Sequence, residues 1–96
     1  MMRKQQQTNA KRRVRTLQKE LGALGPFMRG TVVVIGTRNK QPYFSLNKDK
    51  KTRLIYLGKK RERQARRLST TYKKLLNIIE EMTMLNMELL KNDALE

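Results

Sequence analysis

The spacing of apolar residues divides the chain into a helical start, a β-rich middle and a long helical end. Between Ala10 and Leu24 the apolar residues recur at spacings of 4, 3, 4 and 3. This pattern predicts one amphipathic helix over residues 8–24, ended by Gly25-Pro26. Residues 1–7 have no such pattern, and they predict a mobile basic arm.

Residues 27–58 have the alternation that is typical of β-strands. They predict an antiparallel meander of three strands, FMRGTVVVIG, PYFSLN and TRLIYL, with a polar turn after the first and the five-residue loop NKDKK after the second. The alternation of apolar and polar residues along the strands predicts that one face of the sheet packs on the helices and the other faces solvent. The inward residues are Phe44, Leu46, Ile55 and Leu57, and the outward ones are Tyr43, Ser45 and Tyr56.

The last element is a long helix over residues 60–92, without proline or glycine. Its apolar residues form a heptad seam with spacings of 4, 3, 4, 3, 4 and 3, typical of a coiled coil. The seam comprises Leu68, Tyr72, Leu75, Ile79, Met82, Asn86 and Leu89, with Asn86 as a lone polar residue. It is either an intramolecular core or an interface between copies. We favour a homodimer, because the apolar stripe is too wide for one partner helix.

The sequence therefore predicts an α+β protein of element order α-β-β-β-α. We expect one small domain over residues 8–96, with a coiled-coil dimer formed by its long helix. A chain of 96 residues with 38% hydrophobic residues has a thin core, or a core shared with a second copy.

Composition argues against catalysis and metal binding. The chain has no cysteine and no histidine. This excludes disulfides and the usual zinc ligand sets. It also removes the two side chains most used for nucleophilic or general-base catalysis near neutral pH. No glycine loop suited to phosphate is present. We therefore expect no enzyme activity, no cofactor and no metal. No apolar stretch approaches the ~20 residues of a membrane span, and no signal peptide is recognisable, so we expect a cytoplasmic protein.

Charge is distributed unevenly. Twenty-three Lys and Arg stand against eight Asp and Glu, a formal net charge of +15. Residues 1–74 carry 22 basic and three acidic side chains, a net of +19, whereas residues 75–96 carry one basic and five acidic side chains, a net of −4. A cationic body of this kind indicates a polyanionic partner.

These cations give the candidate nucleic-acid-binding residues, because arginine and lysine bind phosphate and arginine also binds guanine edges. They are Arg12, Arg13, Arg15, Arg29, Arg38, Lys40, Lys50, Lys51, Arg53, Arg63, Arg66 and Arg67. Tyr43 and Tyr56 are candidates for stacking on bases. We expect the hairpin and the basic start of the long helix to form one continuous surface.

Each of these interpretations has an alternative. The segment KKRERQARR is either a phosphate contact or a solvated helical face. Arg29 is either a binding residue or a structural partner at the start of a strand. The two tyrosines either stack on bases or pack on each other across strands.

Several short motifs resemble a family of short prokaryotic proteins of unknown function. They are GPFMRG at 25–30, PY at 42–43, KTRLIY at 51–56 and LNMELL at 85–90. Many members of that family carry a cysteine-bearing stretch, which looks like a metal knuckle, between the first two strands. This chain has GTRNKQ there, so no metal function is implied. The resemblance implies a cytoplasmic prokaryotic setting, often near mobile elements.

A second resemblance concerns architecture alone. The segment KKTRLIYLGKKRERQARRL is similar to the arm-binding domains of tyrosine recombinases, which lay a three-stranded sheet in the major groove of DNA. Such a likeness is associational.

The function that these observations favour is non-catalytic nucleic-acid binding, with double-stranded DNA ahead of RNA. The protein would act as a regulator or accessory factor of a mobile element or virus. Two alternatives stay open. One is a protein that binds structured RNA or a ribonucleoprotein. The other is a basic interaction or inhibitor protein that docks on an acidic protein surface.

Overall fold

A computed structural model describes residues 2–95 and shows the predicted order of elements. Helix α1 (Lys4–Ala23) is followed by strands β1 (Thr31–Ile35), β2 (Gln41–Lys48) and β3 (Lys51–Tyr56), and then by helix α2 (Gly58–Lys91). The α+β architecture, a meander between two helices, is therefore confirmed. Met1 of the predicted arm and Glu96 lie outside the described residues.

The chain divides into two compact units. The sheet unit is Gly25–Lys73, which holds the three strands and the first part of α2. The helix unit consists of the residues up to Leu24 and those from Lys74 onward, which hold α1 and the rest of α2. The prediction of a single domain over 8–96 stays a prediction.

The predicted arm at residues 1–7 is wrong for the residues from Lys4 onward, because α1 begins there rather than at residue 8. Local hydrogen bonding explains the earlier start. The Gln6 side-chain oxygen accepts a hydrogen bond from the backbone N–H of Arg3 at 2.8 Å, and the Gln7 N–H donates to the Arg3 carbonyl at 3.0 Å. The first of these bonds satisfies the Arg3 N–H, a group that an isolated helix end leaves unpaired, and the second is the first bond of the helix itself.

The sheet has the order β1-β2-β3, and both strand pairs are antiparallel. The predicted five-residue loop NKDKK is wrong, because Asn47 pairs with Thr52 and Lys48 with Lys51. Only Asp49 and Lys50 form the turn, with φ values of 55° and 63°. Two central residues with positive φ are typical of the tight hairpin turn whose twist matches that of antiparallel strands.

A small core joins the sheet to the first part of α2. Phe44, Leu57 and Ala65 are buried together, and Met28, Val32 and Leu46 pack against them. The inward prediction is confirmed for Phe44, Leu46 and Leu57. Ile55 is 54% exposed, although it pairs with Phe44 and shares its face. One helix about 10 Å wide covers roughly two strands at their ~4.8 Å spacing, so a residue on an edge strand stays uncovered.

Gly30 lies close against the Phe44 ring and the backbone of β2. Its φ is 130°, and an added Cβ would lie 2.6 Å from Cζ of Phe44 and 2.8 Å from the carbonyl oxygen of Ser45. The Gly30 carbonyl accepts a hydrogen bond from Oγ of Ser69 at 3.1 Å, and the Met28 N–H donates to the Leu68 carbonyl at 3.3 Å. The start of β1 is therefore held against α2 by backbone contacts that leave no room for a side chain.

The helix unit is an antiparallel pair of helices. The N–H of Met2, before α1, donates to Oδ1 of Asn92, after α2, at 3.0 Å. Further along, Arg13 of α1 binds Glu81 of α2. Only four hydrophobic residues of this unit are buried within the described chain, namely Ala10, Leu17, Ile78 and Leu89. The pair therefore has a narrow core.

We expect Gly30→Ala to lower the free energy of unfolding by about 2–4 kcal/mol, because backbone strain and overpacking each cost roughly 1–3 kcal/mol. Urea unfolding followed by circular dichroism measures this change. Gly22→Ala is the control: Gly22 lies in α1 with nothing within 4 Å of an added Cβ, and alanine should stabilise the helix by about 0.5–1 kcal/mol. Equal stability of the Gly30→Ala protein and the wild type would contradict the close approach.

Candidate nucleic-acid interface

Most of the net charge belongs to the sheet unit. Gly25–Lys73 contains 14 basic and two acidic residues, a net charge of +12, whereas the remaining residues contain nine basic and six acidic residues, a net of +3. A polyanion is therefore attracted mainly to the sheet unit. The helix unit is close to charge balance.

The densest group of cations lies on the first turns of α2. Lys59, Lys60, Arg63 and Arg67 line one shallow groove with Gln64, and we call these four residues the helix cationic face. Arg63 and Arg67 are each two residues from Ala65, so they point about 160° away from it around the helix axis. Because Ala65 is buried in the sheet-facing core, the helix cationic face points away from the sheet.

These four cations are not neutralised within residues 2–95, where none of them has an ion-pair partner. Arg66 differs, because its guanidinium contacts Oε2 of Glu62 at 2.8 Å. Arg61 differs too, since its Nε donates to the Leu57 carbonyl at 3.0 Å. The helix cationic face thus holds charges that an external anion can pair with at no cost in broken contacts.

The outer face of the sheet carries no charged residue. Strand alternation and the observed register place ten residues on it. They are Thr31, Val33, Ile35, Gln41, Tyr43, Ser45, Asn47, Thr52, Leu54 and Tyr56. In a chain that is 32% charged, a ten-residue surface without charge is a second, chemically different surface.

Tyr43 and Tyr56 occupy the middle of this uncharged face. They are directly opposite each other across β2 and β3, and their rings meet edge to face with centroids 5.6 Å apart. The Tyr56 hydroxyl donates to Oε1 of Gln41 at 3.2 Å. The structure shows the cross-strand packing that the sequence left open. Stacking of bases on these rings stays a prediction.

The outer face of the sheet and the helix cationic face do not form the continuous surface that we expect for the hairpin and the helix start. The tyrosines point away from α2, while Arg63 and Arg67 point away from the sheet, so the two surfaces lie on opposite sides of the sheet unit. Arg38 and Lys40 do lie near the helix start. Their loop is at the end of the sheet where the Leu57 N–H bonds to the Pro42 carbonyl at 3.1 Å, one residue before α2.

The other predicted cations of the sheet unit lie elsewhere. Lys50 and Lys51 are at the opposite end of the sheet, in and beside the β2–β3 turn, and Arg53 is exposed on the edge strand. Arg29 donates from Nη1 to the Asn47 carbonyl at 2.9 Å. The structural role left open for Arg29 is therefore observed, since this bond connects the approach to β1 with the end of β2.

The predicted cations of α1 belong to the helix unit. Arg12 and Arg15 are exposed. Arg13 binds Glu81 with two hydrogen bonds of 2.6 and 3.0 Å, and Glu20 lies 3.9 Å away. The hydrogen bond to Glu81 raises the pKa of Arg13, and the same bond lowers the pKa of Glu81. Arg13 is thus occupied within the protein, and binding phosphate would break this pair.

The predicted oligomer seam is partly used inside one chain. The Tyr72 ring lies 6.3 Å from the ring of Phe27, and the Leu68 carbonyl accepts a bond from Met28. Leu89 is 2% exposed. Leu75, Met82 and Asn86 are half-buried, and Ile79 remains exposed. The two ends of the seam therefore make contacts within one chain, and the interface between copies stays a prediction.

Sequence reasoning missed Lys59 and Lys60 as site residues. The signal was present in the chain, because both belong to the run KKRERQARR and lie one turn before Arg63.

Neither a metal centre nor a membrane span is found in residues 2–95. No group of three or more acidic side chains there is placed to hold a metal ion. No helix in the same range has the length and apolar character to cross a membrane.

Comparisons of this chain with protein families, curated proteins and solved structures give no match. The resemblance to short prokaryotic proteins therefore stays a prediction from the motifs.

We expect Glu81→Gln to lower the melting temperature near neutral pH, because it removes the carboxylate of the Arg13 pair. Since the pKa of Glu81 is lowered in the folded protein, its stabilisation is complete above the unfolded-state pKa. It is lost as pH falls through the lowered pKa. The melting temperatures of variant and wild type should therefore converge in acid.

Thermal unfolding between pH 7 and pH 2 checks this prediction, with Glu80→Gln as the matched control. Glu80 is the adjacent residue and has no ion pair among the described residues. A constant difference between Glu81→Gln and the wild type across this range would show that the pair is not the cause.

Proposed function

We propose that this protein is a non-catalytic nucleic-acid-binding protein whose preferred ligand is double-stranded DNA. The observation that supports it is the helix cationic face, four unpaired cations on one exposed side of α2 in a unit of net charge +12. In this proposal α2, rather than the meander, is the element that meets the nucleic acid. This changes the mechanism that the sequence favoured.

The dimensions of the helix favour DNA over RNA. An α-helix with its side chains is about 10–12 Å across, and the major groove of B-form DNA is about 12 Å wide. The major groove of A-form RNA is too narrow and deep for side chains to read. The exposed half of α2 can therefore approach a DNA major groove, while its other half stays on the sheet.

Phosphate contacts supply most of the binding free energy in this mechanism. The helix cationic face offers four cations, and Arg38 and Lys40 add two at the same end of the sheet. If these six cations neutralise six phosphates, the logarithm of the association constant falls with the logarithm of salt concentration at a slope of about −5. Such contacts orient a protein on DNA but do not read sequence, so this proposal does not include a target sequence.

The setting that fits this proposal is the cytoplasm of a prokaryotic cell, including one that carries a virus. There the protein would be a regulator or an accessory factor of a mobile element or virus. The motif resemblance supports this setting, and so does the lack of cysteine in the sequence, which suits a reducing compartment.

A second candidate function is a basic interaction or inhibitor protein. The uncharged sheet face favours it, because Ile35, Leu54 and Tyr56 are 44–49% exposed there and an apolar patch rimmed by polar residues is typical of protein contacts. In that case the cations would pair with an acidic protein, and affinity for nucleic acid would be weak. A structured RNA remains the third possible ligand.

We expect the double variant Arg63→Glu with Arg67→Glu to weaken DNA binding at least about a hundredfold, because two attractive charges become repulsive at the contact. Fluorescence anisotropy with a labelled duplex, repeated at several salt concentrations, measures affinity and salt slope together. A hairpin RNA is titrated in parallel to compare the two ligands.

The matched control is Arg12→Glu with Arg15→Glu, which changes net charge by the same four units but in the helix unit. We expect it to weaken binding far less. Equal losses of affinity in the two double variants would show that binding depends on total charge and not on the helix cationic face. No binding of the wild type to either nucleic acid at low salt would overturn the proposed function.

A further inference from the structure

The last part of α2 has an apolar stripe that no other residue between positions 2 and 95 covers. Leu76, Ile79, Met87 and Leu90 are 41%, 46%, 58% and 62% exposed. Their spacings of 3, 8 and 3 keep them on one side of a 3.6-residue helix, with Thr83 at the centre. We call these five residues the uncovered stripe. It contains no charge and is about 21 Å long at 1.5 Å per residue.

The uncovered stripe is distinct from the face that contacts α1. Ile78 and Leu89 are buried beside α1, whereas Ile79 and Leu90 come one residue later and point about 100° further around the axis. A single neighbouring helix covers only one side of another, so α1 leaves this second apolar side in solvent. The stripe overlaps the predicted heptad seam at Ile79 alone.

Charge favours a second copy of the same chain as the occupant. The helix unit has a net charge of only +3, against +12 for the sheet unit, so self-association meets least repulsion here. The stripe is also almost symmetric about Thr83, with Leu76 and Ile79 on one side and Met87 and Leu90 on the other. A two-fold axis at Thr83 would therefore set each of these apolar side chains opposite another apolar side chain of the second copy.

We propose that two copies of this chain associate through their uncovered stripes as an antiparallel pair of α2 helices, with the two-fold axis at Thr83. Antiparallel pairing sets Leu76 opposite the partner's Leu90. It separates residue 73 from its counterpart in the partner by about 30 Å along the helices. Parallel pairing would set the two copies of residue 73, where the cationic sheet unit ends, about 10 Å apart. Since charges separated by more than the ~8–10 Å Debye length are largely screened, the antiparallel arrangement avoids that repulsion.

Sedimentation of the full chain over roughly 1 μM to 1 mM tests the association, with Leu90→Glu and Met84→Glu as a matched pair. Both side chains are exposed to a similar extent, 62% and 58%, but they point about 120° apart. We expect a dimer for the wild type and for Met84→Glu. We expect at least a tenfold higher dissociation constant for Leu90→Glu, because dimerisation would bury its charge. A wild type that is monomeric throughout, or equal effects of the two variants, would overturn the proposal.

Single cysteines test the orientation without adding charge, since the chain has no cysteine of its own. Thr83→Cys should form a disulfide-linked dimer under mild oxidant. Ile79→Cys should form far less, because antiparallel pairing puts its two copies about 12 Å apart along the helix, beyond the ~7 Å Cα separation that a disulfide permits. Equal yields at the two positions would indicate parallel pairing and refute the arrangement. No nucleic acid is needed, so this outcome is independent of the proposed function.

Discussion

Packing of Phe44 against α2 is the contact on which the arrangement of the sheet unit depends. Phe44 is on the central strand, and its ring lies between Gly30 and the buried side of α2 that contains Ala65. A side chain at position 30 would displace the ring, and a larger residue at position 65 would lift the helix. This one contact decides which side of α2 faces the sheet. The opposite side of α2, which carries the helix cationic face, is therefore exposed to solvent.

The same contact separates two surfaces of different chemistry. One is the helix cationic face, whose charges find no partner in the described chain. The other is the outer face of the sheet, whose ten residues carry no charge at all. A helix and a sheet that pack through one face each must expose their other faces in opposite directions, and so one flat ligand cannot lie on both. Binding of a phosphate backbone and docking of an apolar partner therefore belong to different sides of this unit.

The two units also differ in how their charge is used. In the sheet unit, basic residues outnumber acidic ones by 14 to two, and most of them have no intramolecular partner. In the helix unit, Arg13 is held by Glu81, and exposed apolar side chains on α2 accompany the exposed charges. Repulsion within the first unit is relieved only by an external anion or by counter-ions. In the second unit, exposed leucine, isoleucine and methionine favour a protein contact instead.

The sequence by itself determined the types and order of the elements, because periods of 3.6 and 2 follow from local backbone geometry. It also determined the inward face of β2 and the excess of cations. Only the tertiary structure decided how these pieces are used. It paired Arg13 with a residue 68 positions away, turned Arg29 to the Asn47 carbonyl, left Ile55 uncovered on an edge strand and put the tyrosines on the side opposite the helix cationic face. Contacts between residues distant in sequence depend on which faces meet when elements pack. The local sequence pattern does not determine which faces these are.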